Sequence, residues 1–331
     1  MSELILTNSL GRTGNCMVCI MNAIKFAIDN HICKVSFHAM NWMGPRLLPK
    51  NSDSSSPIFT SYEINIDSSD FQGNKPDHKS IVKKKGCVSD AGNNKVSSWF
   101  VGFYNTDTSF KERLHICKKY LKPLFNFNEQ KLGENDLLIH LRSGDIMGKG
   151  HYGYLQPPLS FYIKVIESKK WENIYLLTER DNNPCMQKLL EKYPNIIHFL
   201  GHNNIKRCPG EGFGFKHDLG YLVGCKNYAV CQSSLCPLVI QLSDTIKNVY
   251  IPSYMLKTSG KYGLREHPIW WSRDFMEKKT NFEYCNVCYH IYDYEEYVNT
   301  DENKYEYQKK ENIDYLLEYG MNTNNKKKVR D

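Results

Sequence analysis

Two short stretches of this sequence hold residues whose types and spacing suit the handling of a diphosphate: Ile139-His140-Leu141-Arg142-Ser143-Gly144-Asp145 and Val230-Cys231-Gln232-Ser233-Ser234. Arg142, two residues before a Gly-Asp turn, offers a planar fork of N–H donors that matches paired anionic oxygens. Ser233 and Ser234 stand where helix N-caps belong, with Pro237 inside the first turn, so their hydroxyls and the first-turn N–H groups form the kind of helix end that binds phosphate. Each signal also has a plainer reading. A Ser-Ser pair can simply cap a helix, Arg-x-Gly-Asp can close a turn by a local ion pair, and a lone His140 at a strand end can be a satisfied core residue. Their joint placement is what points to a ligand.

That placement depends on the elements around them. From 136 onward, β-prone runs at 136–141, 173–178, 195–200, 227–231 and 247–251 alternate with amphipathic stretches at 160–168, 184–192, 215–225 and 235–242. Five strands alternating with four helices predict a doubly wound parallel sheet. With the first strand central, its neighbours are the second and fourth strands, and the chain reverses direction between the first and the fourth. Ligands of such sheets bind in that crevice. Both stretches above therefore come to one cleft.

The first half opens on a β-prone run at 3–7, a break at Ser9-Leu-Gly11-Arg-Thr-Gly14-Asn15, a helical period from Cys16 to Asn30, and another β-prone run at 34–38. This βαβ order implies a second α/β domain. A polar stretch at 51–94 reads as a surface insertion, a helix is expected at 110–121, and the segment after Pro252 reads as a tail with a helix or two packed back on the body. The expected organisation is 1–130 as an acceptor-side α/β domain, 131–255 as a nucleotide-binding Rossmann-like domain, and 256–331 as the tail.

Composition narrows the classes of function. The chain has 331 residues, enough for two ordinary domains. Its 43 Lys+Arg against 36 Asp+Glu leave +7 in short scattered runs, too dilute for nucleic acid to be the expected partner. No export signal and no membrane span are legible, so the expected compartment is the cytosol, where its 12 cysteines remain thiols. Cys16 and Cys19 read as packing inside the first helix. Cys285-Asn-Val-Cys288 is half of a zinc spacing, but a matching second half is missing, so it reads as structural.

The His140-Leu-Arg142-Ser-Gly-Asp145 run resembles the HxRxGD motif of the α1,2-fucosyltransferases and the related HxRR motif of the α1,6- and protein O-fucosyltransferases. The run from Asp218 to Ser233-Ser234 resembles their second and third motifs, and Gly11-Arg-Thr-Gly14-Asn15 is similar to their N-terminal Gly-x-x-Gly-Asn turn. The resemblance covers 5–40 and 136–252. It implies a GT-B arrangement of two facing Rossmann-like domains, GDP-fucose as donor, a glycan hydroxyl as acceptor, and inverting transfer with no metal or other cofactor. Carried over, it implies that His140 and Asp218 meet the guanine edge, Arg142 grips the β-phosphate and aids catalysis, Ser233 and Ser234 cap the phosphates, Gly14 lies on the donor side, and Asn15 faces the sugar or acceptor. Ser143, Cys16 and Leu235-Cys236-Pro237 depart from the family pattern, toward the sugar.

For the general base three groups are open: His151, the titratable base of the 146–156 loop, and Glu179 and Asp181 at the end of the second strand. Tyr152, Tyr154 and Gln156-Pro-Pro158 either stack on sugar faces or form a turn packed on the next helix. Two rivals stand beside the transferase. One is an inactive descendant that binds a nucleotide or glycan, favoured by Ser143 and by the lack, in 146–156, of the carboxylate that follows this motif in some of the relatives it resembles. The other is an NAD-type dehydrogenase, disfavoured because no G-x-G-x-x-G follows the 136–141 strand.

Overall fold

A computed structural model describes residues 3–6, 13–37, 63–73, 95–96, 109–125, 127–147, 155–200, 212–256, 275, 278, 280–298 and 307–321. The chain opens with β1 (Glu3–Leu6), α1 (Thr13–Asp29), β2 (Lys34–Phe37), β3 (Glu63–Asn65) and β4 (Lys95–Val96). These strands form a sheet in the order β3-β2-β1-β4, parallel except for β3. Buried residues such as Met17, Ile20, Ala23, Ile24 and Ala27 surround α1, as expected of a helix covered on more than one side. It packs on β1, β2 and the helices at 110–116 and 235–242.

α2 (Phe110–Ile116) starts at a capping box in which Ser109 and Glu112 satisfy each other's backbone N–H groups. A turn of π-helix carries it on to Leu121. Then come β5 (Asp136–Leu141), α3 (Leu159–Glu167), β6 (Asn173–Thr178), α4 (Pro184–Lys192), β7 (Ile197–Phe199), α5 (Gly212–Gly224), β8 (Asn227–Ala229), α6 (Leu235–Leu242) and β9 (Asn248–Pro252). The chain ends in β10 (Phe282–Tyr284), β11 (Val287–Tyr292) and α7 (Lys310–Glu318).

The result is a mixed α/β architecture whose larger sheet has seven strands in the order β10-β11-β9-β8-β5-β6-β7. Only β10 runs antiparallel to its neighbour. β5 is central, with β6 on one side and β8 on the other, as the alternating pattern predicts. The hairpin β10–β11 is a difference from the sequence reading, which expected only helices in that region. β11 lies parallel beside β9, and Cys285 and Asn286 both take positive φ (52° and 64°) in the two-residue turn between the strands. That is the turn whose twist suits a hairpin.

Alternation along β5 divides the core. Leu138 joins a cluster running through α1, α2, α6 and both sheets, while Leu137, Ile139 and Leu141 join one on the opposite face beneath α3 and α4. At the leading ends of the strands a side-chain ladder fixes register. His198 meets Asn173 (3.1 Å), Asn173 donates to Asp136 (2.8 Å), Asn227 donates to the Asp136 carbonyl (2.7 Å), Asn248 donates to Asn227 (2.9 Å), and His290 meets Asn248 (3.0 Å). The chemistry-bearing residues lie at the other end. Among the described residues no helix is long and apolar enough to cross a membrane.

Candidate functional site

The carboxyl ends of β5 and β8 form the switch point of the sheet. Arg142 follows β5 and is half-buried, and its Nη1 donates to Ser233 Oγ at 3.3 Å. Two segments about ninety residues apart are thereby joined by one side-chain contact. Ser233 Oγ also accepts from Leu235 N–H (3.2 Å), and the Ser233 carbonyl accepts from Cys236 N–H (3.1 Å). The capping expectation needs correcting in detail: Ser234 occupies the cap position in helical conformation and makes no side-chain cap bond, and the hydroxyl that engages the helix end is that of Ser233.

Gly14, the second residue of α1, packs against the same turn. A Cβ there would lie 2.4 Å from Ser234 Oγ and 2.8 Å from the Leu235 backbone nitrogen, so only glycine allows this approach. The start of α1 and the Ser-Ser turn of the second half therefore touch. Asn15 is the next residue of α1, but its side chain lies outside the described residues. Asp218 is buried on α5, with His217 Nδ1 3.9 Å from its carboxylate, and α5 packs on α6.

The backbone of Arg142 is held by residues the sequence reading did not single out. Asn183 Nδ2 donates to the Arg142 carbonyl (2.8 Å), while Asn183 Oδ1 caps α4 by accepting from Cys185 N–H (2.9 Å). Ser143 is fully buried and accepts from Thr178 Oγ1 (2.8 Å) and Arg180 N–H (2.7 Å), tying the end of β5 to that of β6. Its hydroxyl thus joins two strand ends, which differs from the expectation that this position faces a sugar. Gly144 has φ of +77°, and its N–H donates to Asn182 Oδ1 (3.0 Å). A Cβ on Gly144 would lie 3.1 Å from Glu179 Oε2, so that carboxylate sits directly over the turn. Asp181 is exposed. The turn signals Asn-Asn-Pro at 182–184 were legible; their partner, a carbonyl on another strand, was not.

His140 points to the same face as Leu138. Its Nδ1 lies 3.0 Å from the Tyr228 hydroxyl and 3.7 Å from Cys236 Sγ. Tyr228 donates to Cys236 Sγ (3.1 Å), and Cys231 Sγ lies 3.9 Å from Cys236 Sγ. Burial pushes the Cys231 thiol well up. Burial acts the same way on Cys236, but hydrogen bonds from Cys231, His140 and Tyr228 outweigh it and hold that thiol low.

The chain is similar to a solved structure, that of POFUT1 in complex with GDP-fucose. Identity is 9%, the alignment covers 75% of this chain and 96% of that one, and the TM-score is 0.34. A likeness at that level carries no argument about chemistry. No protein-family model matches the chain, and no curated protein does.

One expectation about the loop after β5 is decided. His151, Tyr152 and Tyr154 lie outside the described residues, as does the side chain of Asp145. Gln156-Pro-Pro158, expected either as a sugar platform or as a packed turn, is buried: Gln156 N–H donates to the Tyr307 hydroxyl (2.7 Å) and its carbonyl accepts from Tyr297 (2.9 Å). It packs beneath the C-terminal tyrosines, so the platform reading fails for these three residues.

Proposed function

We propose that this chain is an inverting, metal-independent glycosyltransferase that takes a sugar from a nucleoside diphosphate donor, GDP-fucose first, to a glycan hydroxyl. The reading rests on one observation: Arg142 and Ser233 meet at the switch point of a parallel sheet, and Gly14 of the first half closes on Ser234 beside them. In a transfer of this kind the bond between the anomeric carbon and the β-phosphate oxygen breaks as the acceptor oxygen attacks from the opposite face. Negative charge builds on the departing diphosphate. A guanidinium fixed before the reaction stabilises that charge without reorganising, and loss of one such donor costs about 10²–10³ in rate. Arg142 has this role, with its backbone pinned by Asn183.

In this reading His140 and Asp218 recognise the base, the Ser233-Ser234 turn faces the phosphates, and Asn15 serves the sugar or acceptor. Glu179, above Gly144, and His151 remain the candidates for receiving the acceptor proton. The test begins with thermal shifts in the presence of GDP, UDP, GDP-mannose and NAD, since a selective ligand stabilises the native state. GDP is expected to stabilise and NAD to do nothing. Release of free GDP from GDP-fucose in the presence of oligosaccharides then separates an enzyme from an inactive nucleotide-binding descendant. If no nucleotide shifts the transition, the reading is wrong.

A further inference from the structure

Behind Arg142 and Ser233 the chain gathers two thiols, an imidazole and a phenol from neighbouring elements. His140 comes from β5, Tyr228 from β8, Cys231 from the turn after β8, and Cys236 from α6. The ligand atoms of His140, Cys231 and Cys236 all lie within 4.8 Å of one another, and this is the only group of three or more His, Cys, Asp or Glu side chains so arranged among the described residues. Both cysteines and Tyr228 are fully buried, and His140 is 9% exposed.

We propose that Cys231, Cys236 and His140 bind one Zn²⁺, with the Tyr228 hydroxyl as fourth donor. With Zn–S of about 2.3 Å and Zn–N of about 2.0–2.1 Å, a tetrahedral site needs sulfurs about 3.8 Å apart and a sulfur-to-nitrogen edge of about 3.5 Å. Two of the separations here are 3.9 Å (Cys231–Cys236) and 3.7 Å (Cys236–His140 Nδ1), and the third, Cys231–His140, lies within 4.8 Å. The Tyr228 oxygen lies 3.1 Å from Cys236 Sγ and 3.0 Å from His140 Nδ1, each a few tenths of an ångström short of a tetrahedral edge.

Neither a disulfide nor hydrogen bonding alone fits the cluster as well. A disulfide needs its sulfurs at about 2.0 Å, roughly half the separation found here. Hydrogen bonds do join the four groups, but each involves a thiol or its neighbour as a weak donor or acceptor, and a divalent ion is a stronger partner for two sulfurs and an imidazole. Charge favours the divalent ion. Two thiolates, a neutral imidazole and a neutral phenol around Zn²⁺ sum to zero, so no net charge is left in a dry interior.

Binding replaces two thiol protons, which leave to solvent, and moves the imidazole proton to Nε2 because Nδ1 becomes the ligand atom. Four donors close the site, so its role is structural: it fastens β5, β8 and α6 where the Arg142–Ser233 contact forms. This zinc touches no reacting atom and takes no part in the transfer step; it shares His140 with the base-recognition role proposed above, the metal taking Nδ1 and leaving the Nε2 proton for the base.

The full chain, reloaded with Zn²⁺ under reducing conditions and dialysed, is assayed for metal by mass spectrometry. A Co²⁺-loaded sample is examined by absorption. The expected result is one zinc per chain, a thiolate-to-cobalt charge-transfer band with the d–d bands of a four-coordinate ion, and loss of both in Cys231→Ser and Cys236→Ser. A Cys285→Ser/Cys288→Ser chain, altered at the surface hairpin, should retain them. Should the buried-site variants fail to fold, the spectrum and stoichiometry of the unaltered chain and the hairpin variant decide. An unaltered chain without stoichiometric zinc, a cobalt spectrum lacking the thiolate band, or metal that disappears with the hairpin cysteines overturns the proposal. None of these readings depends on catalysis.

Discussion

Arg142 is the residue on which the proposed chemistry turns, and its environment shows why an exchange there should separate function from stability. It is half-buried, and its side-chain hydrogen bond to Ser233 is worth about 0.5–1.5 kcal/mol. Arg142→Ala should therefore lower GDP-dependent turnover by about 10²–10³ while moving the thermal transition only slightly, as steady-state kinetics and scanning fluorimetry would show. A variant with wild-type turnover would remove Arg142 from the mechanism. Gly14 presents the converse case. Its approach to Ser234 and the Leu235 backbone leaves no room for a Cβ, so Gly14→Ala should cost about 1–3 kcal/mol through overpacking, read by urea titration. Because the same contact seats the Ser-Ser turn, GDP binding should weaken in parallel. At this scale the sequence disclosed residue types and spacing, but it could not disclose that Ser143 is sealed between two strand ends.

Among the elements, α5 shows a decision between two opposing effects. Gly220 and Gly224 stand one helical turn apart, and the segment at 128–132 crosses them closely enough for Gln130 N–H to donate to the Gly220 carbonyl (3.0 Å) and Leu132 N–H to the Gly224 carbonyl (3.2 Å). Helix propensity alone would favour Gly220→Ala by about 1 kcal/mol. The added Cβ, however, would lie 2.2 Å from the Asn128 carbonyl oxygen, and backbone does not yield as a side chain does. The expected net effect is destabilisation of about 1–2 kcal/mol by urea denaturation, and a gain in stability would show that the segment shifts freely. A second element-scale test concerns acid. Burial works against ionisation of Asp70, but hydrogen bonds from Lys119, Tyr120 and His115 outweigh it and hold its carboxyl below the usual range. Its contribution is therefore present above the unfolded value of about 3.9 and lost as pH falls through the lower folded value. Urea midpoints measured from about pH 5 down to about pH 2 should fall less steeply in Asp70→Asn than in the unaltered chain. Equal slopes would show that Asp70 is not part of the acid transition.

On the scale of the whole molecule, the C-terminal segment completes the larger sheet. β11 covers the edge of β9, α7 packs on α3 and α4, and Tyr297 and Tyr307 hold the backbone of Gln156. A chain ending at Leu256 should expose the β9 edge and the buried rings of Tyr250 and Tyr254, and should elute as aggregate in size-exclusion chromatography. A monomeric, cooperatively melting product would contradict this. The alternation of apolar strands with amphipathic helices was legible along the chain because parallel strands buried on both faces leave continuous apolar runs. It sufficed for the central position of β5 and the crevice beside β8. β10 and β11 were not legible, since short strands rich in tyrosine and joined at Cys285-Asn286 carry no such run. By itself the sequence determined the alternating strands and helices of the parallel core and marked the stretches proposed to handle a diphosphate, because periodicity and residue type are local properties. Only the tertiary structure decided that Gly14 meets Ser234, that Asn183 pins Arg142, and that Cys231, Cys236 and His140 converge, because those contacts join residues distant along the chain through the order and register of the strands.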